Sequence, residues 1–117
     1  MIVYHGTAAS ERLSIVSSGL AAGTHVTARR DLATGTYAVY AAARNSAPTG
    51  GLLVVLDVLR SELEPDPRSD PEEQSYRLRR RVFPARVLAV EVHRAAVAEV
   101  RGFAHEAAAA GVHCTYE

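Results

Sequence analysis

Lysine is missing from this chain: all 13 basic residues among its 117 are arginine. Base composition of the coding sequence accounts for such a bias. A functional gloss is that arginine's planar fork suits phosphate and carboxylate. Without lysine there is no phosphate loop of the Gly-x-x-x-x-Gly-Lys type. No strand-like run leads into a Gly-x-Gly-x-x-Gly turn either, so a Rossmann dinucleotide site is not supported. The single cysteine, Cys114, excludes an internal disulfide and a cysteine-rich metal site, and it is compatible with a reducing cytoplasm. The apolar run Leu52 to Leu56 is far too short to span a bilayer, so no membrane partner is expected. The N-terminus lacks a basic region followed by an apolar core, and no signal peptide is expected. Thirteen acidic residues balance the basic ones, which removes any general attraction to nucleic acid or membrane.

What is present is a real core. Hydrophobic residues make up 48% of the chain, enough for one compact domain over residues 1–117. Ile2 to Tyr4 predicts a short strand that ends in His5-Gly6. Ala9 to Ser18 predicts a helix, with Leu13, Ile15, Val16 and Leu20 near one face and Gly19 as its stop. Thr24 to Thr27 predicts a strand, and Asp31 an N-cap for a helix to about Ala43. Gly51 to Val58 predicts a strand buried on both faces. Ser61 to Glu73, with Pro65, Pro67 and Pro71, reads as a long loop. Ser75 to Val82 reads as a basic strand broken by Pro84, and Val87 to Val92 as a further strand with Leu88 and Val90 on one face. Arg94 to Ala110 reads as a helix with Gly102 as a kink and Gly111 as its stop, and Val112 to Tyr116 as a last strand. Connections this brief favour a mixed or mainly antiparallel α+β fold over a doubly wound one.

Within this frame, Tyr4-His5-Gly6-Thr7, then Ile15 and Gly19-Leu20, then Val26-Thr27 and Tyr37-Ala38 form a pattern. It resembles the diphtheria-toxin and poly-ADP-ribose-polymerase branch of the ADP-ribosyltransferases, known by a His–Tyr–Glu triad on a small split sheet that holds bent NAD. The resemblance is good from Ile2 to about Tyr40 and thin from Gly51 to Val92. It implies a small split mixed or antiparallel sheet with flanking helices. NAD is then a substrate, and no metal is required. His5 would bond the adenosine-side ribose, Gly6 the nicotinamide amide through its backbone, and Thr7 would shape the same turn. Tyr37 would stack on the nicotinamide ring, with Tyr40 as the next choice. Thr34, one turn before Tyr37, matches a hydroxyl near the amide. The triad glutamate falls on Glu73, with Glu72 and Gln74 as alternatives; a Gln74 assignment would argue against strong transferase activity.

The chemistry stands beside the resemblance. Breaking a nicotinamide–ribose bond builds positive charge on the sugar, which a carboxylate stabilises. An aromatic face positions the leaving ring, and a histidine fixes the ribose. The resemblance therefore implies transfer of ADP-ribose to a protein or nucleic-acid acceptor, with a toxin held by an inhibitor (antitoxin) protein as one form of it. The alternatives are an NAD glycohydrolase, an RNA 2′-phosphotransferase and a catalytically silent NAD-binding domain. Each residue has a plainer reading: His5 as a core histidine, Tyr37 and Tyr40 as packing, Glu72 and Glu73 as solvated charges. His25, His93, His105 and His113 have no metal-ligand spacing, and Cys114 lacks an activating neighbour. Arg77, Arg79 and Arg81 would share one strand face, as an edge that blocks unwanted pairing or as a patch for pyrophosphate, nucleic acid or an acidic partner. No aromatic interleaving in this stretch supports a single-strand platform.

Overall fold

The computed structural model describes residues 1–34, 50–93 and 102–116. Its strands are β1 (Ile2–Ala8), β2 (His25–Thr27), β3 (Gly51–Asp57), β4 (Leu63–Pro65), β5 (Ser75–Leu78), β6 (Val87–His93) and β7 (His113–Tyr116). The helices are α1 (Arg12–Ser18), the single turn α2 (Arg30–Leu32) and α3 (Phe103–Ala109). The strands join in one mixed sheet, ordered β4-β5-β2-β1-β3-β6-β7. Every pairing is antiparallel except β6 with β7, which α3 connects. This is the α+β architecture that the short connections predict. Among the described residues no helix is long and apolar enough to cross a membrane.

β3 lies between β1 and β6, and its register explains its continuous apolar sequence. Val3, Leu56 and Val87 form one cross-strand row; His5, Val54 and Val90 form the next; Thr7, Leu52 and Val92 the third. These rows face α1 and α3, where Ile15, Val16, Phe103 and Ala107 complete the core. Each fully buried side chain of this kind contributes about 1.5–3 kcal/mol. The opposite face carries Leu53, which is also fully buried. There Arg30 of α2 forks onto both carboxylate oxygens of Glu91 and lowers the Glu91 pKa. Burial on both faces is thus what the unbroken Leu52–Leu56 run encodes.

Several local expectations change. β1 continues past Tyr4 to Ala8 because its ladder with β3 is made by backbone, which Gly6 supplies as well as any residue. Part of the expected loop 61–73 is strand β4, whose Pro65 is tolerated because β4 is an edge strand. The basic strand ends at Leu78, so Arg79 to Arg81 lie in the turn beyond it. Leu88 does not share a face with Val90: pairing jumps from Val55–Ala89 to Leu56–Val87, leaving Leu88 as an unpaired bulge residue, 47% exposed. Asp31 is not the N-cap of α2; Arg29 precedes it, and Asp31 lies in the first turn, paired with the Arg29 guanidinium. The rest of the helix expected to Ala43, and residues 94–101 of the last helix, fall outside the described residues.

Two contacts lock the turns beside the sheet. Gly19 ends α1 at φ 74° and ψ −148°, a backbone region essentially reserved for glycine. A Cβ there would sit 1.9 Å from the Val82 carbonyl oxygen, where Leu20 and Val82 exchange two backbone hydrogen bonds of 2.9 Å. Glu62 is the second lock. It is 2% exposed, and its carboxylate accepts both Arg86 Nη groups at 2.6 and 2.5 Å, Arg80 Nε at 3.1 Å and the Leu59 amide at 2.9 Å. The Arg86 fork, then the Leu59 amide, bring its pKa from 4.5 down to about 2.

Gly19→Ala is expected to cost at least about 3 kcal/mol in urea unfolding, through backbone strain plus the clash at Val82; a loss under about 1 kcal/mol would contradict this geometry. Glu62 has a depressed folded pKa, so its contribution is complete above pH 4.5 and drains away as pH falls towards 2. Glu62→Gln should lower stability at neutral pH by about 2–4 kcal/mol, discounted because Arg86 reaches solvent. It should also flatten the decline of stability across that acid window, and an unchanged acid profile would remove Glu62 as its source.

Candidate functional site

β2 is the shortest route to the site. It is held to β5 by three register pairs but to β1 by only one, Tyr4 with Thr27. At this seam a side chain does what the ladder elsewhere leaves to backbone. The His5 Nδ1 lies 2.7 Å from the His25 carbonyl oxygen. A carbonyl only accepts, so Nδ1 carries the proton and Nε2 of the neutral ring presents a lone pair. His5 shares its face of the sheet with Val54 and Val90. Burial there lowers its pKa below the ordinary 6.5, with the His25 carbonyl and the Glu11 carboxylate opposing the shift. Near neutral pH the ring is therefore an acceptor, suited to a sugar hydroxyl.

His5 and Thr7 open onto a cavity of about 400 Å³. Glu11 and, on α1, Ser14 and Ser18 supply its other wall, and Arg81 closes one side. Beside the apolar Ile15, Leu20 and Ala21, the polar lining is hydroxyls, one carboxylate, one guanidinium and one imidazole. This is the chemistry of a polyhydroxylated, anionic ligand rather than an apolar one. Arg81 Nη1 donates to the Ser18 carbonyl at 2.6 Å, which fixes the guanidinium at the rim. Sequence reasoning missed Glu11, Ser14 and Ser18; of these four it weighed only Arg81, as part of a patch for pyrophosphate, nucleic acid or an acidic partner. The signal was available: Glu11, Ser14 and Ser18 recur at helical spacing as a polar stripe beside the apolar Ile15–Val16 face.

The other end of β2 anchors the acidic segment. Thr27 is fully buried; its hydroxyl donates to the Glu73 carbonyl at 2.7 Å and accepts the Arg29 amide at 3.0 Å. Ala28 N–H bonds the Gln74 carbonyl at 3.0 Å, and Arg29 reaches the Glu72 carbonyl at 3.4 Å. Asp70 accepts the Glu72 amide at 3.1 Å, which caps the 3-10 turn Pro71–Glu73. Gln74 then adopts φ 49°, the one left-handed non-glycine residue among those described. Such a conformation persists only where its surroundings fix it.

The structure thus places the candidate residues unevenly. His5 and Thr7 line the cavity; Gly6 is buried in β1 and does not line it. The expectation that the strand ends at His5-Gly6 is replaced by a continuous strand. Glu73 does not line the cavity but is tied to the same short strand that receives His5, two residues further along, about 7 Å. Glu72 and Gln74 are exposed beside it, while Glu73 is half-buried. The Thr34 hydroxyl donates into its own helical turn, to Arg30 and Asp31 carbonyls at 3.1 and 3.4 Å. Tyr37 and Tyr40 lie outside the described residues. Comparison of the chain with protein-family models, with curated proteins and with solved structures gave no match.

The His5 ring is expected to titrate below 6.5 by NMR, and Glu11→Gln should move it lower still by removing the carboxylate that favours its charge. Its folded pKa is depressed, so this contribution to stability is complete above about pH 6.5 and lost as pH falls through the folded value. A His5 midpoint at or above 6.5 would refute the buried neutral ring.

Proposed function

We propose that this chain is an NAD-dependent ADP-ribosyltransferase of the diphtheria-toxin and poly-ADP-ribose-polymerase kind, acting on a protein or nucleic-acid acceptor. One observation carries the reading: the His5 side chain and the Glu73 main-chain carbonyl, remote in sequence, are both hydrogen-bonded to β2, at His25 and Thr27. The seam supports it as well. β1 and β2 share a single register pair within the one sheet, and the split of an ADP-ribosyltransferase-like sheet would fall at that seam.

In this reading the cavity beside α1 takes the adenosine side of NAD. His5 Nε2 accepts a ribose hydroxyl, and Thr7, Ser14 and Ser18 offer further hydroxyl partners. Gly6 offers its backbone to the nicotinamide amide, and Tyr37, with Tyr40 as the next choice, stacks on the ring. Glu73 stands where positive charge develops on the sugar. The bond from C1′ to the nicotinamide nitrogen breaks, and nicotinamide leaves with the electron pair. An acceptor oxygen bonds C1′ and its proton passes to the carboxylate. If water replaces the acceptor, the same site is an NAD glycohydrolase. Such a protein works in the cytoplasm, where NAD is present, or is kept silent there by an inhibitor protein.

The test is release of nicotinamide from NAD by purified protein, with and without cell lysate. Release only with lysate supports transfer; release without it supports hydrolysis or self-modification. Neither, with NAD still bound, leaves a silent binder or the phosphotransferase. No NAD binding removes the reading altogether. Glu73→Gln should reduce release by about 100-fold or more while leaving NAD affinity within a few-fold, since the carboxylate acts on developing charge. His5→Ala should weaken NAD binding about tenfold, the worth of one good hydrogen bond. Equal turnover in Glu73→Gln, or unchanged affinity in His5→Ala by calorimetry, would remove that residue from its role.

A further inference from the structure

The turn after β5 carries Arg79, Arg80 and Arg81, all exposed and none absorbed by the chemistry above except as Arg81 rims the cavity. Each is pinned from behind. Arg79 Nε donates to the Leu63 carbonyl at 3.0 Å, Arg80 Nε to Glu62 at 3.1 Å, and Arg81 Nη1 to the Ser18 carbonyl at 2.6 Å. In Arg79 and Arg80 the inward bond uses Nε rather than a terminal amino group of the fork. The Arg80 side chain is 68% exposed. An arginine whose stem is already fixed loses little rotamer freedom when it captures an oxyanion.

The next exposed residue settles what kind of anion fits. Val82 is fully buried through its bridge to Leu20, so its neighbours Arg81 and Phe83 both point outward. Phe83 is 63% exposed, an aromatic face about 7 Å along the chain from Arg81. Guanidinium forks flanked by an open aromatic ring match a strand that offers phosphates and unstacked bases together. A carboxylate-rich peptide offers the anions but nothing to stack. A duplex offers the phosphates but keeps its bases stacked.

We infer that Arg79, Arg80, Arg81 and Phe83 form a docking ridge for single-stranded nucleic acid that leads to the rim of the His5 cavity. The formal net charge is zero, so this attraction is local rather than global. The strand's role as ADP-ribose acceptor rests on the function proposed above; its binding does not.

The experiment is fluorescence anisotropy of a short labelled oligouridylate with the intact chain, in the absence of NAD, across a salt series. Three phosphate contacts predict a slope of log K against log salt of about −2, and each Arg→Gln variant should reduce its magnitude by about 0.7. Phe83→Ala should weaken binding about tenfold with the slope unchanged, because stacking releases no counterions. Polyglutamate and a duplex of equal length should compete poorly. Equal competition by polyglutamate would assign the ridge to an acidic protein and overturn the inference. Equal affinity for duplex, full affinity in Phe83→Ala, or no binding at all would overturn it too. Because NAD is left out, failure here leaves the nicotinamide test standing, and an inactive protein that still binds the strand fails only the proposed function.

Discussion

One imidazole decides the shape of this sheet. Where β1 meets β2, backbone pairing is reduced to a single register position, and the His5 side chain takes the His25 carbonyl instead. This side-chain bond supplements the single register pair in holding the two strands together. It also ties the ring's proton to Nδ1, so that the other nitrogen is left as an acceptor. That bond joins β2 to β1 beside the α1 cavity, while the neutral state of the ring follows from burial, which the bond opposes. A residue that merely filled the core row with Val54 and Val90 would close the seam.

β2 then acts as a shared mount. His5 is fixed at its start and the Glu73 turn at its end, through a threonine hydroxyl with no solvent contact. Rigid placement of this kind is worth more to a site than additional groups, since a reacting geometry tolerates little displacement. The same short strand leans on β5, and β5 on β4, whose start is fastened by the buried Glu62 carboxylate. Desolvating that carboxylate is offset by Arg86, the Leu59 amide and Arg80 around it. Removal of either set of contacts would therefore be felt at the mount.

Much of this was legible in the residues. The apolar run of β3 announced a strand buried on both faces and Gly19 announced the end of α1, whereas His5-Gly6 does not end its strand. What sequence could not show was pairing. Nothing in the order of residues links Glu62 to Arg86, or marks Leu88 rather than Val90 as the bulge, because both depend on register across strands. β4 was hidden by Pro65 and the prolines that follow it, which deny it the look of a strand but do not hinder an edge. The arginine stretch was read as continuous strand because alternation continues on paper past Leu78, whereas the chain turns there to bond Glu62 and Leu63. Phe83 was invisible as an exposed ring for the related reason that burial of Val82 is a tertiary fact.

The position of β1 has a consequence for how the chain comes to be folded. It is the first strand in sequence yet lies in the interior of the sheet, and its main partner is β3, paired from Ile2–Asp57 to Ala8–Gly51. During synthesis β1 therefore leaves the ribosome long before the strand that completes it, with both of its edges unsatisfied. Closing such a loop is entropically slow and delays the whole sheet. Until β3 arrives, the segment that later carries the site is an open template for other chains. The interval between the two strands is thus the period in which this protein is most exposed to misassembly, and the one in which a chaperone would have most to protect.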